Sequence, residues 1–186
     1  MKLHLGCGAH FLKDRGWTDT DIEPKAPHVM RLDASRAFPF ESKSFSHVFS
    51  EHMIEHIPHA AGQEMLHECY RVLQPGGRIR ISCPDLAFLI AIETGGSSQL
   101  QSDYLAFKKC TPCVLFNDFM REGGLHQFIY DGITLARDMS DAGFASIKKV
   151  HISCSDDIEF QNLEWVDRMP PGMLALETMT LEGSRL

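Results

Sequence analysis

The sequence has no apolar run approaching the roughly 20 residues that a membrane-spanning helix requires. No basic leader with an apolar core precedes its first strand-like segment, so a soluble, cytoplasmic protein is expected. Positive charge is scarce: 18 Lys and Arg stand against 25 Asp and Glu, a formal net charge of −7. That balance disfavours nucleic acid as a partner, since the basic clusters amount to the short pairs Lys108-Lys109 and Lys148-Lys149. Cysteines are few and scattered, at Cys7, Cys69, Cys83, Cys110, Cys113 and Cys154. The close pair Cys110-Thr111-Pro112-Cys113 has redox-motif spacing but lacks a strand-to-helix setting and a second pair that would complete a zinc site. There is no internal repeat and no low-complexity linker. With 44% hydrophobic content, 186 residues suffice for one domain with a substantial core, spanning 1–186.

What is present begins at the first residues. Lys2-Leu3-His4-Leu5 reads as a buried strand and runs into the turn Gly6-Cys7-Gly8. A ligand lying over the carboxyl end of a parallel strand touches backbone, and a Cβ at Gly6 or Gly8 would hold it away. The dinucleotide fingerprint needs a third glycine three positions on, where this chain has Phe11, so NAD and FAD are poor candidates. Trp17 to Ile22 has the β-branched and aromatic content of a second strand, with Asp21 near its tip and able to accept both hydroxyls of a ribose. Asp19, two residues earlier on the same face, is the alternative. A third short apolar run, His28 to Ala34, carries Asp33, which could take the amino group of an adenine. Glycines, a ribose acceptor and a base acceptor on consecutive strand ends describe an adenosine site at one edge of a doubly wound α/β sheet.

On these residues the chain resembles the class I S-adenosylmethionine-dependent methyltransferases. Leu5-Gly6-Cys7-Gly8, Gly16-Trp17 to Asp21-Ile22, Phe38-Pro39-Phe40 and Ser44 to Ser50 are similar to that family's early segments. Glu55-His56-Ile57, Tyr70 to Arg78 and Ala142-Gly143-Phe144 are similar to its later ones, in the family's order. The resemblance covers residues 2–83 and 131–152, with 84–130 matching only loosely. It implies a doubly wound, mostly parallel seven-stranded Rossmann-like sheet with helices on both faces and an antiparallel last strand. It implies S-adenosylmethionine as cofactor, held by Leu5, Gly6, Cys7, Gly8, Asp21, Ile22, Asp33, Ala34, Ser50 and Glu51. The acceptor is expected to be a small molecule, and the oligomeric state is left open.

The expected layout is a reduced form of that fold. Only a short turn of helix fits between Gly8 and Trp17. Strand four at 45–50 leads into a short helix from Glu51 that Pro58 breaks, followed by an amphipathic helix over 60–73 that Pro75-Gly76-Gly77 ends. Strand five is expected at 78–82, a helix at 131–142 capped by Gly143, and last strands at 145–152 and 173–180. Segment 84–130, with Gly95-Gly96-Ser97-Ser98 and Gly123-Gly124, reads as an acceptor-side lid.

Methyl transfer from a sulfonium depends mainly on positioning, and a base is needed only where the acceptor arrives protonated. Candidate bases are His52, Glu51, Asp85 and His126. The alternative reading is a binding module that keeps the adenosine site without catalysis; a third class is a metal-dependent hydrolase, because His52-Met53-Ile54-Glu55-His56 matches the inverted zinc-protease signature, the three polar side chains sharing one face if helical. Some methyltransferases similar to this chain hold a divalent cation through two carboxylates and a histidine at this spacing. Here His52 replaces the first carboxylate, which disfavours Mg²⁺, favours a softer ion and makes His126 a possible extra ligand. The expectation carried forward is that Glu55 and His56 hydrogen-bond locally and shape the cofactor wall.

Overall fold

In the computed structural model, which describes residues 1–95, 98–121 and 126–186, the chain forms seven strands in one sheet. They are β1 (Lys2–Leu5), β2 (Trp17–Asp21), β3 (Met30–Arg31), β4 (Phe45–Glu51), β5 (Leu73–Pro84), β6 (Ala145–Val150) and β7 (Thr178–Ser184). Their spatial order is β3-β2-β1-β4-β5-β7-β6. The first five are mutually parallel, and β7 enters antiparallel between β5 and β6. The strand order therefore reverses between β1 and β4, the place where open α/β sheets leave a crevice for ligands.

Alternation along the strands sends Leu3, Leu5, Val48, Ile79, Ile81 and Leu181 to one face. That face is covered by α1 (His59–Val72) and α5 (Gly132–Asp141). Helix α1 buries Gly62, Met65, Leu66, Cys69 and Val72, a spacing of three and four residues that forms one apolar stripe. Helix α5 is capped by the Asp131 carboxylate, which accepts from the Thr134 amide at 2.7 Å. The two helices are tied by buried Asp138, which accepts from the Gln63 side chain and pairs with His59 Nε2 at 2.6 Å.

The opposite face is different in character. Trp17, Phe49, Leu12, Phe160 and Leu163 form a small cluster there. Beside it lies Arg80, fully buried, bonded to Glu164 Oε1 at 2.7 Å and Glu182 Oε1 at 2.6 Å. Arg80 also reaches the carbonyls of Cys154 and His151. The irregular segment 151–168 is thus pinned across this face by a charge network. The connection from β1 to β2 contributes only a 3-10 turn at Lys13–Arg15.

A third body of structure lies beyond the carboxyl ends of the strands. Helices α2 (Leu86–Glu93), α3 (Gln99–Lys108), α4 (Pro112–Arg121) and α6 (Met173–Glu177) share a cluster of Phe88, Leu89, Tyr104, Leu115, Phe119 and Met173. Segment 84–130 is therefore largely helical, where the sequence reads as its least regular part. Gly96, Ser97, Gly123 and Gly124, assigned to lid loops, lie outside the described residues. Among the described residues, no helix is long and apolar enough to cross a membrane.

Boundaries differ from expectation in four places. The third strand contracts from 28–34 to Met30–Arg31. No regular helix starts at Glu51, which is the last residue of β4, and only a 3-10 turn forms at Ile54–His56. Pro75-Gly76-Gly77 is an irregularity inside β5 rather than a stop: pairing with β4 jumps from Phe45–Leu73 to His47–Arg78, and Gly76 sits at φ +78°. The last strand is shifted, because Met173, Leu174 and Glu177 are buried in helix α6 and β7 begins only at Thr178. A short apolar run does not distinguish strand from helix by periodicity, and contact with α2 decides it here.

Candidate functional site

The carboxyl ends of β1 and β2 meet through a shared network. Gly6 and Gly8 both have positive φ, +64° and +55°. The Asp21 carboxylate accepts from the Gly8 amide at 2.8 Å and from the Glu23 amide at 2.8 Å, which ties the glycine turn to the tip of β2. The two glycines meet different surroundings. A Cβ at Gly6 would lie 2.2 Å from Met53 Cγ, whereas one at Gly8 would meet nothing within 4 Å. Gly6 makes room for the protein's own Met53, and Gly8 leaves its space open to a ligand.

Asp19 and Asp21 have separate tasks. Asp19 is 2% exposed, bonded to His4 Nδ1 at 2.9 Å and to the amides of Leu12 and Lys13. Burial pushes its carboxyl up, but the His4 hydrogen bond and the amides outweigh this and leave its pKa lowered. Burial lowers the pKa of His4, against the pull of Asp19. Asp19 thus caps the 3-10 turn, leaving Asp21 as the partly exposed acid at the strand tip.

Asp33 lies at the end of the β3 segment with its carboxylate on the Ser35 hydroxyl at 2.6 Å and the Ser35 amide at 3.0 Å, contacts that lower its pKa. Leu5 and Cys7 are buried, Ile22 is exposed and Ala34 is half-buried. Burial, with Asp19 and Asp21 nearby, pushes the Cys7 thiol up to about 12, so it is not a nucleophile. All six cysteines are free, Cys110 and Cys113 included.

At the end of β4, Ser50 is 1% exposed and its hydroxyl has no hydrogen-bond partner among the described residues. Glu51 Oε2 accepts from the Trp165 amide at 3.0 Å, and Arg168 stands 3.7 Å from its other oxygen. Trp165 stacks on His10, so the segment that crosses the polar face ends over the glycine turn. His52 follows at φ +46°, a left-handed conformation that costs a non-glycine residue about 1–2 kcal/mol. Its Nε2 lies 2.8 Å from Thr178 Oγ1, and its Nδ1 3.4 Å from Glu55 Oε1.

A cavity of about 570 Å³, the size of a small-ligand site, opens here. His52, Glu55, His56 and His126 line it, together with Lys108, Phe119, Arg168 and Glu177. Glu55 is 1% exposed; its Oε1 pairs locally with His52 Nδ1 at 3.4 Å and His56 Nε2 at 3.9 Å, and neither carboxylate oxygen has a hydrogen-bond partner of good geometry among the described residues. Burial pushes its carboxyl up, but the facing His52 and His56 outweigh that and leave its pKa below the ordinary carboxylate range. His126 Nδ1 is 2.6 Å from the Phe119 carbonyl, and its ring centroid is 4.7 Å from that of His56.

The structure thus brings His52 and His126 to one cavity and leaves Asp85 outside it. Asp85 Oδ1 caps α2 through the Ala87 amide at 2.9 Å and its Oδ2 pairs with Lys149 at 2.9 Å. The inverted protease signature is not carried on a helix, and His52 turns to Thr178. Lys108, Phe119, Arg168 and Glu177 were not legible as site residues, since they come from distant segments with no motif of their own.

An open, mostly parallel sheet with a glycine turn after its first strand and a cavity beyond its carboxyl edge is the arrangement in which doubly wound α/β proteins bind ligands. Residues 3–81 match the family described as a methyltransferase domain. No curated protein matches the sequence. Solved structures with this fold include an S-adenosylmethionine-dependent methyltransferase from Archaeoglobus fulgidus, 16% identical, TM-score 0.61, covering 99% of this chain and 85% of that one. Another, from Thermotoga maritima, is 16% identical with TM-score 0.61, covering 100% and 82%. A third, phosphoethanolamine N-methyltransferase 2 of Haemonchus contortus in complex with S-adenosylmethionine, is 16% identical with TM-score 0.55, covering 99% and 48%. Residues 3–81 are thus similar to a methyltransferase domain, and the chain as a whole shares its fold with S-adenosylmethionine-dependent methyltransferases.

Proposed function

We propose that this chain binds S-adenosylmethionine across the ends of β1, β2 and β4 and methylates a small or medium-sized acceptor in the adjoining cavity. The observation that carries this reading is the juxtaposition of an open glycine position, Gly8, held by Asp21, with a cavity of about 570 Å³ whose wall begins at His52, just past β4. The unpartnered Ser50 hydroxyl at the same edge is a further group suited to a bound cofactor.

In this reading Leu5, Gly6, Cys7 and Gly8 present backbone to the cofactor, Asp21 takes the ribose hydroxyls and Asp33 the adenine amino group. Ile22 and Ala34 flank the base, and Ser50 and Glu51 close the site at β4. The cofactor, when bound, supplies an activated methyl group on a good leaving group. The protein's part is to orient the acceptor and exclude water, and the lining supplied by Lys108 of α3 and Leu115, Asp118 and Phe119 of α4 supports that role. His52, strained and facing the cavity, is the first candidate to receive a proton from a protonated acceptor, and His126 the second. The acidic chain with its mixed-charge cavity suits a small-molecule acceptor in the cytoplasm better than nucleic acid.

The test is turnover of S-adenosylmethionine to S-adenosylhomocysteine against a panel of hydroxyl, amine and thiol acceptors, alongside calorimetric binding. Binding without turnover on any acceptor would favour a non-catalytic cofactor-binding module. Absence of binding would overturn the reading.

A further inference from the structure

We propose that Glu55, His56 and His126 form a binding site for a transition-metal dication of the zinc, cobalt(II) or iron(II) kind in the cavity wall. One ligand atom from each of the three lies within 4.8 Å of the others. Glu55 supplies the second observation: its side chain is 1% exposed, it lines the cavity, and its Oε1 is met by the imidazoles of His52 at 3.4 Å and His56 at 3.9 Å, with no hydrogen bond to either oxygen among the described residues. A buried carboxylate in that condition is costly, and buried charges are ordinarily paired, hydrogen-bonded or coordinated to a metal.

His126 is arranged as such a ligand would be. Its Nδ1 faces the Phe119 carbonyl at 2.6 Å, so Nδ1 donates a hydrogen there. A ligating imidazole typically donates its other N–H to a carbonyl or carboxylate in this way. Tetrahedral coordination at about 2.0–2.1 Å separates ligand atoms by roughly 3.3 Å, so the cluster must tighten. The His56 side chain is 35% exposed and its Nε2 already lies 3.9 Å from Glu55 Oε1.

The donor set differs from the His52, Glu55, His56 set that the sequence suggests, because His52 is directed to Thr178. Two imidazoles and one carboxylate favour zinc, cobalt(II) or iron(II) over Mg²⁺ or Ca²⁺. Three protein ligands leave coordination open toward the cavity, where an acceptor oxygen would bind the ion and lose its proton more readily.

The experiment reads metal binding directly, so it stands or falls apart from the methyltransferase assignment. Chelator-treated protein is titrated with Co²⁺ and with Zn²⁺ by calorimetry, with the visible spectrum of bound Co²⁺ recorded. Saturation at about one equivalent is expected. Glu55→Gln and His126→Ala, checked for native circular dichroism, should each bind at least about tenfold more weakly. His67→Ala, on the exposed face of α1, should bind as the unaltered protein does. Should a buried variant fail to fold, His56→Ala at the solvent side decides the matter in the same way. No saturable binding, undiminished binding by folded Glu55→Gln or His56→Ala, or Mg²⁺ bound as tightly as Co²⁺ would each overturn the proposal.

Discussion

Met53 lies across Gly6 so closely that a Cβ there would stand 2.2 Å from Met53 Cγ and 2.7 Å from Met53 Cβ. The residue after the strained His52 is thus packed into the turn after β1, linking the glycine turn to the cavity wall. The two glycines of the turn should respond differently to substitution. Gly6→Ala must displace Met53 and hold alanine at positive φ, and should cost about 2–4 kcal/mol in urea denaturation. Gly8→Ala bears only the backbone cost, about 1–2 kcal/mol, and should fold yet lose S-adenosylmethionine binding by calorimetry. Undiminished binding by Gly8→Ala would show that its open space faces no ligand.

Asp21→Asn should weaken S-adenosylmethionine by about 1.5–3 kcal/mol, since a charge-assisted hydrogen bond is lost from a partly buried site. It should also destabilise the turn, because both carboxylate oxygens accept backbone amides that an amide group cannot serve alike. Calorimetry on folded variant separates the two effects, and unchanged affinity would remove Asp21 from the ribose.

Arg80→Ala should destabilise the fold by about 3–5 kcal/mol, since it leaves the buried carboxylates of Glu164 and Glu182 without their guanidinium. The segment 151–168 should loosen with it, seen as faster amide exchange at Ser153 and Trp165. A loss below about 1 kcal/mol would mean that the apolar cluster around Phe160 alone secures that segment.

Stability should fall on mild acidification. The pKa of buried His4 is lowered in the folded protein, so the unfolded chain binds more protons below its ordinary value of 6.5. The contribution is complete above about pH 6.5 and diminishes as the pH falls toward the lowered folded value. Asp19, also lowered, adds a loss in the same direction below about pH 4. Urea midpoints from pH 8 to pH 5 should decline, and His4→Asn should flatten that slope. A slope unchanged in His4→Asn would assign the effect to other groups.

Local chemistry made much of this protein legible in its sequence. The glycine turn, the acids at successive strand tips and the apolar stripe of α1 each depend on residues close together in the chain, where backbone sterics and periodicity act directly. Tertiary contact decided the rest. Asp19 and Asp21 share a strand face and a side-chain type, and only the approach of His4 and the Leu12 and Lys13 amides buries the first and leaves the second at the crevice. Met173 to Glu177 became helix because α2 offered its apolar side there, and Asp85 became a cap because α2 starts beside it. The cavity itself joins His52 to His126 and Arg168, residues far apart in sequence. Burial and the partners left to a side chain are properties of the assembled fold, and they set Glu55 apart as a buried carboxylate faced by two imidazoles and without a hydrogen bond among the described residues.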